Sequence, residues 1–279
     1  MENQKSCFII SLDFELDWGV RATKPLEDYK DNLLGARSVI PVLLNIFHEY
    51  KIYTTWAIVG LLFFESRDEM LKNLPVKKPK YLNRNLSPYK YINNIGKDET
   101  EDPFHFAPSL IKMIASCHNQ EIASHTFSHY YCLEEGSDID SFKADLEASI
   151  KVAKKYNQTI KSLVLPRNQF NIEYKSVCKE LGIKCYRGNE RAWIYRGGYK
   201  PPEPLLKRAI RLDDHYFNIF GHNCYSIDSI DRELPYNIPS SRFLRPYYNK
   251  LKFLEPFRLR RILDDLTYAA KNRLIYHLC

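Results

Sequence analysis

The chain has 279 residues, 44% of them hydrophobic and 27% charged, which supplies one large core and lacks the bias of a disordered, fibrous or repeat-built protein. Lys and Arg number 41 against 34 Asp and Glu, a formal charge of +7 that suits anionic ligands without demanding nucleic acid. The longest nearly apolar stretch, 54–64, is far short of the ~20 residues that a membrane span takes, and residues 1–12 carry neither h-region nor cleavage site, so export is not expected.

In chain order the pattern alternates short β-like runs with helical ones. Strand 7–14 is followed by an amphipathic stretch over 33–50, then strand 53–59, helix 107–117, strand 121–124, helix 140–156 and strand 162–165. Helix 172–181, strand 184–186, a long helix over 251–271 and a last strand over 274–278 complete the series. Such alternation implies right-handed βαβ units and a parallel sheet or barrel. Two stretches, 66–105 and 197–245, are rich in Pro and poor in long periodic runs. They read as loop insertions on a single domain spanning 1–279.

The seven cysteines are far apart and form no C-x-x-C pair, which suggests reduced thiols in a cytoplasmic protein. No Gly-rich phosphate loop or G-x-S-x-G elbow occurs, which removes the commonest nucleotide-binding and serine-hydrolase readings. Asp13, Glu15 and Asp17 follow one another at spacing two at the end of the first strand, so an extended chain points all three to one face. His125 and His129, after another strand, stand four apart, and one helical turn would bring both rings to the same side. Two imidazoles with one carboxylate leave an open coordination position for water, as in catalytic zinc and related sites. The carboxylate could be Glu15 or Asp17.

Together these residues resemble the polysaccharide deacetylases, also called NodB-homology or carbohydrate esterase family four proteins. His125-Thr126-Phe127-Ser128-His129 matches that family's H-[ST]-x-x-H motif, Asp13 stands at its first acidic motif, and Pro166-Arg167 resembles its arginine motif. The run from Arg187 to Trp193 sits at its tryptophan-bearing motif. The resemblance implies an α/β fold, a distorted (β/α)7-type barrel, and metal-dependent removal of acetyl from an N-acetylated sugar. It implies Asp13 as general base, Arg167 as the residue orienting it, and His125, His129 and Glu15 as ligands of a divalent ion. Zinc is expected first, with cobalt, manganese or nickel as substitutes.

The resemblance also places a late hydrophobic-x-His motif, source of the general acid, about where the sequence reaches Cys279. The barrel is therefore expected to be incomplete there and the chain a poor catalyst. His277 is either that acid or an ordinary strand histidine. Seven basic residues over 242–261 (Arg242, Arg245, Lys250, Lys252, Arg258, Arg260 and Arg261) interleave with Phe and Tyr. They read as a solvated helix face or as a dock for a diphosphate-linked sugar, at a membrane surface or on a nucleotide. The expected role is a cytoplasmic step in surface-polysaccharide or lipopolysaccharide assembly. The alternatives are a hydrolase of a non-sugar C–N bond on the same scaffold, or a silent glycan-binding member.

Overall fold

The computed structural model describes residues 5–195 and 204–279, so the start of the second expected loop, 197–203, lies outside the described residues. Seven strands carry the fold: β1 Cys7–Phe14, β2 Thr54–Ile58, β3 Gln120–Ser124, β4 Ser162–Leu163, β5 Cys185–Gly188, β6 Tyr236–Pro239 and β7 Ile275–Leu278. Their order is β6-β5-β4-β3-β2-β1-β7, and the pairs β1–β7, β2–β3, β3–β4 and β4–β5 are parallel. The helices are α1 Asp17–Val20, α2 Leu26–Glu49, α3 Arg67–Lys72, α4 Pro108–Ser116, α5 Ile139–Lys154, α6 Lys175–Glu180, α7 Leu205–Asp214 and α8 Glu255–Asn272. Parallel strands alternating with helices make this the distorted (β/α)7-type barrel expected from the sequence. The chain divides into two compact units, one of Leu12–Tyr186 and one of Arg187–Cys279 with the residues through Ser11.

In the Leu12–Tyr186 unit, β2 and β3 are apolar and buried along Trp56, Ala57, Ile58, Ile122 and Ala123, as befits strands covered on both faces. Helix α2 buries Leu33, Ile40, Leu44 and Phe47, one stripe at helical spacing. It begins seven residues before the periodic run. Pro25 precedes it, and Glu27 and Asp28 fill the first turn, where acids favour the helix through its dipole but leave no apolar signal. Within the 66–105 stretch lie α3 and short 3₁₀ turns, and an antiparallel bridge between Ser66 and Asp98 closes its base.

The other unit holds two elements that periodicity did not reveal, α7 and β6. β6 has four residues, ends in Pro239 and stands first in the strand order, the edge position where a residue without a donor is tolerated. The basic run divides here. Arg242 and Arg261 are buried side chains that both bond Asp265, itself fully buried on α8, so they belong to the interior and not to a surface dock. His277 on β7 is buried as well, its Nε2 2.8 Å from Ser11 Oγ and its Nδ1 3.1 Å from the Pro239 carbonyl.

Three strand ends in the first unit come level because of their register. Ile58 lies opposite Ser124, and the Val59 N–H donates to the Phe14 carbonyl at 3.1 Å. The segment after β3 is tied down by α5. Asp145, fully buried, accepts from the Phe127 N–H at 2.7 Å, the Ser128 N–H at 3.2 Å and the Ser128 hydroxyl. Burial pushes its carboxyl up to about 6, in spite of those hydrogen bonds, which act to lower it. A carboxyl raised on folding contributes stability that is complete below its unfolded pKa and is lost as pH rises through about 6. Asp145→Asn is accordingly expected to remove a change of about 2 kcal/mol between pH 4 and 7. Urea unfolding at the two pH values checks this, and an unchanged pH slope in the variant would count against it.

Candidate metal centre

Glu15 is the first residue after β1, and the next residue, Leu16, takes a left-handed φ of 45°. That turn sends the chain into α1 and leaves the Glu15 carboxylate facing the segment after β3. His125 follows β3, its N–H bonding the Ile58 carbonyl at 2.9 Å. The expected helical turn from His125 to His129 does not form: Thr126 and His129 adopt φ of 63° and 57°. The rings converge all the same, with centroids 5.1 Å apart. The reason is local bonding. The Ser124 hydroxyl accepts from the Thr126 N–H at 2.9 Å, the Thr126 hydroxyl accepts from the Tyr130 N–H at 2.6 Å, and Asp145 holds the two residues between. A β-branched residue with positive φ is uncommon and costs energy that such surroundings must offset.

Glu15 Oε2 lies 3.1 Å from His125 Nε2 and 3.0 Å from His129 Nε2. Both imidazoles are buried, and the ligand atoms of all three residues lie within 4.8 Å of one another. His125 Nδ1 is 2.9 Å from the Val164 carbonyl. A carbonyl only accepts, so Nδ1 carries a proton, and Nε2 is the ring atom presented to the Glu15 carboxylate. Burial lowers His129, favouring its neutral form, and its Nδ1 is buried without a partner. Burial would raise Glu15, but hydrogen bonds with His125 and then His129 outweigh it and hold the carboxyl well below the usual range. An ionised carboxylate and two imidazole Nε2 atoms converge on one point, and with the Nε2 protons given up they form a donor set that a divalent cation fits.

Asp17, the other carboxylate candidate, points elsewhere. Its Oδ2 is 2.9 Å from His105 Nε2 and accepts from the Tyr91 hydroxyl at 3.2 Å. His105 Nδ1 lies 2.8 Å from Asp102 Oδ2. Burial would lower His105, but its hydrogen bonds to Asp102 and Asp17 raise it and favour an imidazolium between two carboxylates. This buried chain joins the strand-end acids to the 66–105 stretch. Asp13 is exposed at the end of β1. Arg167, itself with a left-handed φ of 58°, pairs with Glu134 at 2.6 Å and lies over the Tyr131 ring, 4.5 Å from its centroid. Tyr131 in turn meets His129 edge-on at 5.0 Å.

Sequence reasoning passed over several residues that shape this site: Asp145, Tyr131, the Asp102–His105 pair and Gly19. A Cβ at Gly19 would lie 2.0 to 2.5 Å from the Glu15 carboxyl atoms. A glycine directly after Trp18 was the available signal. Gly19→Ala is expected to fold, because the clash falls on the end of a flexible side chain, but to displace Glu15 and weaken metal binding by about 10- to 100-fold, as displaced supporting groups do. Zinc titration beside a melting curve checks this. Wild-type affinity in the variant would show that Glu15 does not need this space.

The family described as polysaccharide deacetylase matches residues 31–186, which take in His125, His129 and Arg167 and begin after Asp13 and Glu15. Among solved structures, one from Mycobacterium smegmatis, described provisionally as a polysaccharide deacetylase, aligns with a TM-score of 0.56 at 12% identity. It covers 100% of this chain and 77% of that one. A 4-alpha-glucanotransferase from Thermococcus litoralis aligns with a TM-score of 0.53 at 14% identity, over 98% of this chain and 33% of that one. At such identities the likeness is one of fold. No curated protein matches the sequence significantly. Since the family match spans more than half of the sequence, the chain belongs to the polysaccharide deacetylase family, hydrolases that act on non-peptide C–N bonds.

Proposed function

We propose that the chain catalyses metal-dependent hydrolytic N-deacetylation of an N-acetylated saccharide, and that residues 1–279 act as one domain with insertions at 66–105 and 197–245. The observation that carries this reading is the convergence of Glu15, His125 and His129 on one point. Those three would hold the cation, zinc first, with cobalt, manganese or nickel able to substitute. When bound, a divalent cation supplies Lewis-acid polarisation of the amide carbonyl and lowers the pKa of water toward neutrality.

The chain's own groups do the rest. Asp13, two residues before Glu15 and within β1, is the general base and takes the proton of the attacking water; as the amide C–N bond then breaks, the amine nitrogen takes up a proton, returned by Asp13 or supplied by solvent, and acetate and free amine are released. Arg167 is its orienting residue, a role that requires it to exchange the Glu134 pairing described above. Tyr131, wedged between Arg167 and His129, keeps that wall of the site in place.

The setting we propose is a cytoplasmic step in surface-polysaccharide or lipopolysaccharide assembly, acting on a diphosphate-linked sugar. No disulfide links any of the seven cysteines, which suits a reducing compartment. Lys250, Lys252 and Arg260 are exposed, as is Phe253, which supports peripheral contact with an anionic membrane surface. No helix among the described residues is long and apolar enough to cross a membrane.

Elemental analysis is expected to find one divalent ion per chain, lost in His125→Ala and in His129→Ala. Equal metal in all three proteins would remove the site. Asp13→Asn is expected to keep the ion while losing about 10²- to 10⁴-fold in deacetylation rate, whereas Glu15→Gln loses the ion first. The opposite pattern would exchange the two roles.

A further inference from the structure

The 66–105 stretch carries a feature that the metal centre does not use. Between Met70 and Lys97 there is no acidic residue, while Lys77, Lys78, Lys80, Arg84 and Lys90 fall within fourteen positions. Two of these five cations have partners. Lys77 pairs with Asp140 at 2.5 Å and Asp138 at 3.6 Å, and the Lys78 ammonium lies 4.8 Å from the centre of the Tyr89 ring. Lys80, Arg84 and Lys90 have no ion-pair partner among the described residues, and all three line a single cavity of about 560 Å³ with Tyr81 and Ser87.

That cavity is built rather than incidental. Tyr81 is buried, packs on Tyr130 and Tyr131, and its hydroxyl accepts from the Tyr131 N–H at 2.9 Å. The Lys80 and Leu82 N–H groups bond the Gly136 and Glu135 carbonyls at 2.9 and 3.0 Å. Gly136 has φ 91°, and a Cβ there would meet the Lys80 carbonyl oxygen at 2.0 Å, so this close approach needs glycine. From the other side Arg21 reaches the Asn85 carbonyl at 2.7 Å and the Leu86 carbonyl at 2.5 Å. Pro79 and Pro88 fix φ at either end. Three like charges facing one space repel one another until an anion enters, and a rigid wall lowers the entropy lost when one does.

The cavity also has a fixed relation to the metal centre. Its Tyr81 wall touches Tyr131 with ring centroids 6.1 Å apart, and Tyr131 touches His129 at 5.0 Å. Two aromatic rings in contact, Tyr81 and Tyr131, therefore link the cation-lined cavity to a candidate ligand. We infer that Lys80, Arg84 and Lys90 form a subsite for an anionic group, phosphate or carboxylate, on the same saccharide whose acetamide is placed at Glu15, His125 and His129. The inference rests on the deacetylase reading and gives the charged part of its substrate a place on the chain, be it the phosphate of a phosphate-linked sugar or a carboxylate of the glycan.

The test is calorimetric titration of the whole chain with three probes: N-acetylglucosamine 1-phosphate, a disaccharide of N-acetylglucosamine and glucuronate, and neutral di-N-acetylchitobiose. At least one anionic probe is expected to bind about tenfold or more tightly than the neutral one, with the advantage shrinking as salt is raised. It should vanish in the triple variant Lys80→Gln, Arg84→Gln, Lys90→Gln and persist in His125→Ala. Preference for the phosphate probe assigns the anion to a phosphate-linked sugar, and preference for the glucuronate probe assigns it to the glycan itself. Anionic probes that bind no better than the neutral one, or equally well in wild type and triple variant, overturn the inference. Because binding is read without turnover, anion preference in a chain that deacetylates nothing would sink the activity and leave the subsite standing. Deacetylation without anion preference would do the reverse.

Discussion

Everything at this site follows from placing one carboxylate against two imidazoles where little water reaches them. A partly shielded Glu15 carboxylate loses hydration that must be replaced, and two ring nitrogens at about 3 Å replace it. The chain can do this only by bending sharply. Leu16, Thr126 and His129 all have a positive φ, at a cost of order 1–3 kcal/mol for each such residue. The surroundings impose these bends. Parallel register levels the ends of β2 and β3, the Phe14 carbonyl ties in β1, and Asp145 pins the segment between the histidines.

The same strain separates what the sequence reveals from what it conceals. Strands β1 to β3 and helix α5 announce themselves because burial imposes a period on their residues. The candidate ligands were legible for a related reason: acids at spacing two on a strand must share a face, and Glu15 needs no tertiary knowledge to be placed beside Asp13. His125 and His129 were legible as a pair, but not the route by which they meet. A spacing of four suggests a helical turn, whereas the turn found is held by hydroxyls at Ser124 and Thr126. The family resemblance favoured Glu15 over Asp17, but the contact that occupies Asp17 was beyond the sequence, since it comes from His105, eighty-eight positions away.

Elements decided by long-range contacts were hidden for the same reason. β6 is four residues long with a proline at its end, so neither length nor alternation marks it. Helix α2 extends two turns beyond its apolar stripe because its first turns face water. The basic run over 242–261 misled in another way: Arg242 and Arg261 look like surface charge in one dimension, yet both turn inward to Asp265. A buried carboxylate that claims two guanidiniums cannot be recognised until α8 is seen to carry Asp265 inside.

The bond from His125 to the Val164 carbonyl settles more than a ring's orientation. Metal-binding histidines commonly owe their tautomer to a neighbouring side chain, which a single substitution can delete. Here the acceptor is main chain at the end of a core strand, and every residue type offers the same carbonyl at that point. The protonation pattern of the ligand is thus written into topology. It would survive any change of side chain at position 164 that leaves β4 in register, and drift in this part of the sequence could go far without reaching the chemistry.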